Sequence, residues 1–359
     1  MSVTIASDNC SILKSIMPIV KAEKTSIQVG KDHINMSMAN PDLNILFHHQ
    51  IAVSNVEKSE KYAVATERLV ALLCGKPDTQ INLNYDGSAL KYKYRKNKGS
   101  CETHTFEAHE TPKLTSDRNL TSLVRKHFNM LSLKPIVDGT ELYLFIDEEP
   151  DHTNICVSDS GGYHAAVIKL KTKNETANHI AIPLLYVQGA IRTLKEDIRM
   201  CSDAEHLYCF KKNKEELSII RFRNILDTRD ITSKLLIDAA NSKDKLSFKA
   251  TANLFDDIIA DFKIGKDKER GGVIKAVLSN GGIKLSYETR HGSSVSEPKL
   301  KTKIEGDHTF MIPFDLLQDT LRLKGSVVFS LKEDMNIFTM HQYDEELKMS
   351  TTFLCTVEK

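Results

Sequence analysis

Ile182-Pro183-Leu184-Leu185-Tyr186-Val187-Gln188-Gly189-Ala190-Ile191-Arg192 has a counterpart later in the chain. It is Ile312-Pro313-Phe314-Asp315-Leu316-Leu317-Gln318-Asp319-Thr320-Leu321-Arg322, with Ile, Pro, Gln and Arg in matching places. In both, a strand is expected to end at Ile, with Pro in the first helical turn, where its missing N–H costs nothing. Gln and Arg, four residues apart, then share a helix face opposite the apolar stripe. A weaker third copy begins at Val64-Ala65 and runs through Arg68-Leu69-Val70-Ala71-Leu72-Leu73. Three alternating strands follow each copy and end on Phe106, Phe222 and Phe353. The spacings from helix start to that phenylalanine (65 to 106, 183 to 222, 313 to 353) agree within two residues. Upstream of each copy stands another helix with its own strands. The predicted unit is helix, three strands, strand, helix, three strands, used three times.

Outward from these copies, most apolar residues alternate with polar ones, as in Gln80-Ile81-Asn82-Leu83-Asn84-Tyr85 and Leu217-Ser218-Ile219-Ile220-Arg221-Phe222. Period two marks strands with one face on a core. Asp86-Gly87, Ser160-Gly161-Gly162 and Asn280-Gly281-Gly282 punctuate them as turns. Helices are expected at 10–20, 65–74, 117–131, 183–195, 250–263 and 313–323. Short antiparallel strands with scattered helices make this an α+β chain and exclude a doubly wound parallel sheet.

With 359 residues, 49 basic and 48 acidic side chains, net charge is +1, so any polyanion site must come from local segregation of charge. Seven cysteines, an odd number without a CxxC pair, read as reduced thiols of a cytosolic protein. No apolar run reaches membrane-spanning length, and 1–10 lacks a basic-then-apolar leader.

At this point the chain resembles a bacterial-type DNA polymerase sliding clamp, the β processivity factor, as a divergent and possibly phage-encoded relative. Ile225-Leu226-Asp227-Thr228-Arg229 is similar to that family's domain-closing Ile-Asp-Gly-Arg. Ser158-Asp159-Ser160-Gly161-Gly162-Tyr163-His164-Ala165-Ala166-Val167 resembles its Thr-Asp-Gly-His-Arg-Leu-Ala-Val, with two extra residues here. The resemblance implies three clamp domains, at 1–112, 113–244 and 245–359, each with two helices packed on two small antiparallel sheets. It implies a homodimer closed head to tail into a ring around double-stranded DNA, independent of sequence. Its partners would be a replicative DNA polymerase and a clamp loader, in the bacterial or host cytoplasm, with no membrane, cofactor, metal or catalytic residue. The alternative is a clamp-fold interaction scaffold that never encircles DNA.

Basic residues gather on or just after the expected helices: Lys14, Lys21 and Lys24; Arg68 and Lys76; Arg118, Arg125 and Lys126; Arg192 and Lys195; Arg322 and Lys324. If the helices line a ring, these side chains meet phosphates, a contact indifferent to sequence and sensitive to salt. A solvated helix face is the competing reading for each. The helix at 250–263 carries Asp256, Asp257 and Asp261 and is not assigned to DNA.

The resemblance also implies a peptide pocket walled by Gly162, Tyr163, His164 and Ala165 and by Phe353, Leu354 and Cys355, the alternative being ordinary core. Alternation lets one of Phe353 and Leu354 face that cleft, and Phe353 is favoured. Lys91-Tyr92-Lys93-Tyr94-Arg95-Lys96 interleaves cations and aromatics like a single-strand binder, but period two sends the tyrosines to one face and the cations to the other. Asp147-Glu148-Glu149-Pro150-Asp151 reads as a solvated turn rather than a cation site. His48-His49 has no third ligand at a recognisable spacing, and one of the pair is expected inward and one outward. Asp257 and Asp261 share a helix face as the wet side of an amphipathic helix.

Overall fold

The computed structural model describes residues 2–53, 56, 59–75, 79–109, 114, 141–159, 164–173, 178–194, 198–225, 230–265, 272–289, 292–300, 304–333, 336–346 and 348–357. The helix expected at 117–131 lies outside them.

The repeat expected from sequence runs through the described elements. The first passage is β1 (Ser2–Ala6), α1 (Ser11–Val20), β2 (Lys24–Val29), β3 (His33–Asn40), β4 (Ile45–Ala52), β5 (Glu60–Ala65), α2 (Thr66–Cys74), β6 (Gln80–Tyr85), β7 (Ala89–Tyr94) and β8 (Asn97–His104). The second is β9 (Leu142–Glu149), β10 (His152–Asp159), β11 (His164–Lys171), β12 (Asn178–Pro183), α3 (Leu184–Leu194), β13 (Arg199–Ser202), β14 (His206–Lys212) and β15 (Glu216–Arg223). After α4 (Asp230–Asn241) comes the third: β16 (Asp244–Thr251), α5 (Asp256–Gly265), β17 (Val273–Ser279), β18 (Gly282–Thr289), β19 (Gly292–Ser296), β20 (His308–Pro313), α6 (Phe314–Asp319), β21 (Ser326–Lys332), β22 (Ile337–Asp344) and β23 (Met349–Thr356).

Local chemistry explains the helix limits. In α1 the buried residues Ile12, Leu13, Ile16 and Val20 form a stripe at helical spacing. The helix stops at Lys21, whose φ of 53° is left-handed and whose N–H donates to Met17 O at 2.8 Å. Pro183 and Pro313 end strands rather than sit inside helices. They face Tyr143 and Val273 in their ladders, at a strand end where a missing N–H is tolerated. The helix begins one residue later.

The described chain forms two compact units. The first, residues 1–125 with 185–224, contains an eleven-stranded sheet in the order β1-β6-β7-β8-β5-β2-β3-β4-β15-β14-β13. The antiparallel β4–β15 pair (Phe47 opposite Ile220) joins its two parts. The second, 126–184 with 225–359, contains an eight-stranded sheet, β12-β9-β10-β11-β23-β22-β21-β16, and a four-stranded one, β19-β18-β17-β20. Here β11–β23 is the joint, with Ala166 opposite Phe353.

The core of the second unit includes an aromatic group around Phe262 of α5. Its ring stacks on Phe314 at 4.0 Å between centroids and meets Tyr287 edge-on at 4.8 Å. Gly272 lies against that ring, where a Cβ would overlap it.

Candidate clamp surfaces

Of the cations expected to meet a duplex, Lys14 of α1, Lys21, Lys24 of β2, Arg68 of α2, Arg192 of α3 and Lys324 are exposed. Lys76, Arg118, Arg125, Lys126 and Lys195 lie outside the described residues. Arg322 departs from the expectation of a free cation. It is half-buried, with Nη1 3.3 Å from Asp319 Oδ1. Asp319 is itself buried and accepts from His164 Nε2 at 2.8 Å. Arg322 therefore balances a buried carboxylate, as a charge removed from water requires. In α5, Asp256, Asp257 and Asp261 are exposed, and Ser294 Oγ donates to Asp261 Oδ2 at 2.6 Å.

The strands named for the peptide pocket adjoin each other through the β11–β23 ladder, with His164 opposite Cys355 and Ala165 opposite Leu354. His164, Ala165, Phe353, Leu354 and Cys355 are all buried, while Gly162 and Tyr163 lie outside the described residues. The two faces of this ladder differ. Leu354 and Ala165 pack with Leu236 and Ala239 of α4, with Tyr143 and with Ile337. Beyond that covered patch, the same face opens into a cavity of about 420 Å³. Val167 and Lys169 of β11, Ser350 and Thr352 of β23, His341 of β22 and Ile237 of α4 contribute to its wall.

Phe353 stands on the opposite face, fully buried, so of the two it is Leu354 that shares the face of the cavity. On Phe353's side, Asp319 adds to the burial that pushes the Cys355 thiol up.

None of the helices expected from sequence covers α4. The contiguous Leu235-Leu236-Ile237 hides the helical stripe that Leu236 and Ala239 form three residues apart.

At the cavity's far edge, Lys332 Nζ donates to Ser242 O at 2.9 Å and to Asp244 Oδ1 at 2.6 Å. The lysine ties the chain leaving α4 to the sheet. His341 Nδ1 lies 2.8 Å from Thr352 Oγ1. Burial lowers its pKa, and Lys332 adds to the effect, while Asp244 opposes it.

The catalytic alternatives gain nothing from the geometry. His48 and His49 are both buried, contrary to the expected inward–outward split, so both faces of β4 are covered here. His49 Nδ1 lies 2.9 Å from Ser218 Oγ and its Nε2 is 2.7 Å from Asn9 O. Residues 147–149 are strand rather than turn, Glu148 is buried, and Asp147 Oδ1 lies 2.5 Å from His179 Nδ1. Among the described residues, no group of three or more His, Cys, Asp or Glu side chains is placed to hold a metal.

A thrice-used helix–strand unit with antiparallel sheets merged end to end defines a clamp-type α+β architecture. Solved structures identify it further: the chain has the fold of bacterial β sliding clamps over its whole length. It is similar to the Helicobacter pylori β clamp in complex with 5-chloroisatin, at TM-score 0.76 and 12% identity, with 100% of both chains covered. It is equally similar to the DNA polymerase III subunit beta from Pseudomonas aeruginosa, at TM-score 0.76 and 11% identity, again with 100% of both covered. A Helicobacter pylori β clamp bound to a DNA ligase peptide matches at TM-score 0.72 and 12% identity, with 100% of each chain covered. No protein-family model and no curated protein matches the sequence.

Proposed function

We propose that this chain is a DNA sliding clamp, a non-enzymatic processivity factor that encircles duplex DNA and tethers a replicative polymerase. The full-length likeness to bacterial clamps carries this reading. The exposed cations of α1, α2 and α3 support it, since a sliding protein needs phosphate contacts that ignore sequence. The reading takes three domains with boundaries near 112 and 244, and two chains closed head to tail with a clamp loader opening the ring. Two equivalent interfaces then satisfy closed symmetry. Thr103 and His104 pair in register with Val64 and Ala63 of β5, which leaves the 97–102 edge of β8 opposite β7 for a partner subunit. Partner peptides dock on the α4 face of the β11–β23 ladder, where an apolar floor meets a few polar groups. No described helix is long and apolar enough to cross a membrane, and the clamp works in the cytoplasm beside the polymerase.

Two measurements test this. Light scattering at micromolar concentration should give twice the 40.4 kDa chain mass. Protein loaded by its clamp loader on nicked circular DNA should stay bound through a high-salt wash and be lost once the circle is cut. A persistent monomer, or equal retention on linear and circular DNA, refutes encirclement.

A further inference from the structure

The part of the first unit's sheet built from β1, β6, β7 and β8 has one buried and one wet face. Val3, Ile5, Ile81, Leu83, Leu90 and Cys101 are buried on one side. Register sets Thr4, Asn82, Lys93 and Lys98 in one cross-strand row on the other, and Asn84, Lys91 and Ser100 in the next. All seven are exposed. Arg95, at φ 50°, and Lys96 form the two-residue turn of the β7–β8 hairpin and add two cations at its tip. Lys91 pairs with Asp86 at 2.8 Å, whereas Lys93, Arg95, Lys96 and Lys98 have no ion-pair partner among the described residues.

The pairing of Lys93 with Lys98 is the informative feature. Like charges directly opposite each other destabilise a sheet, and a carboxylate at either position would relieve the repulsion. An anion lying between the two amines relieves it as well. Neighbouring strands are ~4.8 Å apart, and same-face residues along a strand ~6.8 Å apart. The four unpaired cations therefore form one short track and not scattered points. Beside it, Asn82 Oδ1 accepts from Thr4 Oγ1 at 2.5 Å, which holds the amide and leaves its N–H donors for acceptors on the Watson–Crick edges that only an unpaired strand exposes. Tyr92 and Tyr94 do not serve as a stacking platform on this face. They stack on each other at 6.2 Å on the opposite side, half-buried, and Tyr92 lies across Gly99, where a Cβ would strike its hydroxyl. They brace the hairpin that presents the cations.

We infer that this sheet face binds single-stranded DNA, with phosphates on Lys93, Lys98 and the Arg95-Lys96 tip and base edges toward Asn82. The choice of DNA over RNA rests on the clamp reading; the phosphate track does not, and open oligonucleotides test it without a ring.

Fluorescence anisotropy with labelled oligo(dT), titrated across salt, measures it on the full chain. Lys93→Gln with Lys98→Gln should weaken binding at least tenfold. The log–log salt slope should become shallower by about 1.4, because each phosphate that is no longer neutralised on a single strand removes ~0.7. Melting should occur no lower than in wild type, because a repulsion has been removed. Arg95→Gln with Lys96→Gln should act in the same direction. Unchanged affinity and slope in the Lys93/Lys98 variant overturn the proposal. An equal loss on a blunt duplex of the same length also overturns it, because the face would then not select a single strand.

Discussion

Acid should loosen the first unit through His48. This side chain is 2% exposed on β4, with Nδ1 3.1 Å from Ser37 Oγ and Nε2 buried without a hydrogen-bond partner. Burial, followed by the proximity of His49 and His33, lowers its pKa from 6.5 to about 4. The folded state therefore keeps the ring neutral at pH values where the unfolded chain takes up a proton. Stability from this group is fully present above pH ~6.5 and falls with pH until the folded pKa is passed, after which both states are protonated. The whole gap is worth ~3 kcal/mol, and at pH 5 ~2 kcal/mol of it has been lost.

Urea unfolding at pH 7.5 and pH 5 should show that loss in wild type. His48→Gln, which keeps an amide beside Ser37 but cannot titrate, should lose ~2 kcal/mol less over the same interval. His49, lowered in the same direction by burial, is present in both proteins, so the difference between them reports His48 together with its repulsion of His49. Histidine-selective NMR gives the direct check, with the His48 ring titrating near pH 4. A ring titrating near 6.5, or equal acid losses in the two proteins, refutes the reasoning.

Replacing Lys14, Arg68 and Arg192 together by alanine should weaken duplex binding and reduce its salt slope by about 3, at ~0.9 for each phosphate no longer neutralised; an unchanged slope means these helices do not face the duplex. Gly272→Ala drives a methyl into the Phe262 ring, which is held between Phe314 and Tyr287, and should cost ~1–3 kcal/mol by overpacking, read from urea midpoints. Ser350→Trp should fill the cavity beside α4 and abolish binding of a polymerase-tail peptide in calorimetry, with melting unchanged. Phe353→Ala should destabilise the fold by ~3–5 kcal/mol yet leave peptide affinity intact in the folded protein, because Phe353 points away from that cavity.

Sequence pattern reveals this fold wherever periodicity is local. The stripe in α2 (Leu69, Val70, Leu72, Leu73) and the alternation in β6 are visible within a few residues. Non-local pairing is not visible in that way. Nothing in Ile45–Ala52 announces that β15 will bring Ser218 to His49 or that Asn9 O will meet its other nitrogen, so His48 and His49 read as a half-exposed pair and are both interior. β1 and β16 escape the sequence pattern for a related reason. Each is a leading strand whose partner, β6 or β21, lies across an entire helix–strand passage.

The functional surface is harder to read because equivalent positions in the repeat have diverged. Gly189 and Asp319 occupy the same place in the two copies that identify the repeat. At Gly189 a Cβ would come within 2.7 Å of Ile19 Cδ1, so the missing side chain allows α3 to approach α1 closely. Three residues on, Arg192 stays exposed. At the equivalent point in the third passage, Asp319 places a carboxylate in the interior, where His164 donates to it and Arg322 is drawn in beside it. One substitution thus turns the repeat's arginine from a solvent-facing cation into the counter-charge of a buried acid. Sequence matching aligns Arg192 with Arg322 and assigns them one role; only the identity of the residue three positions earlier separates a solvent-facing side chain from a structural one.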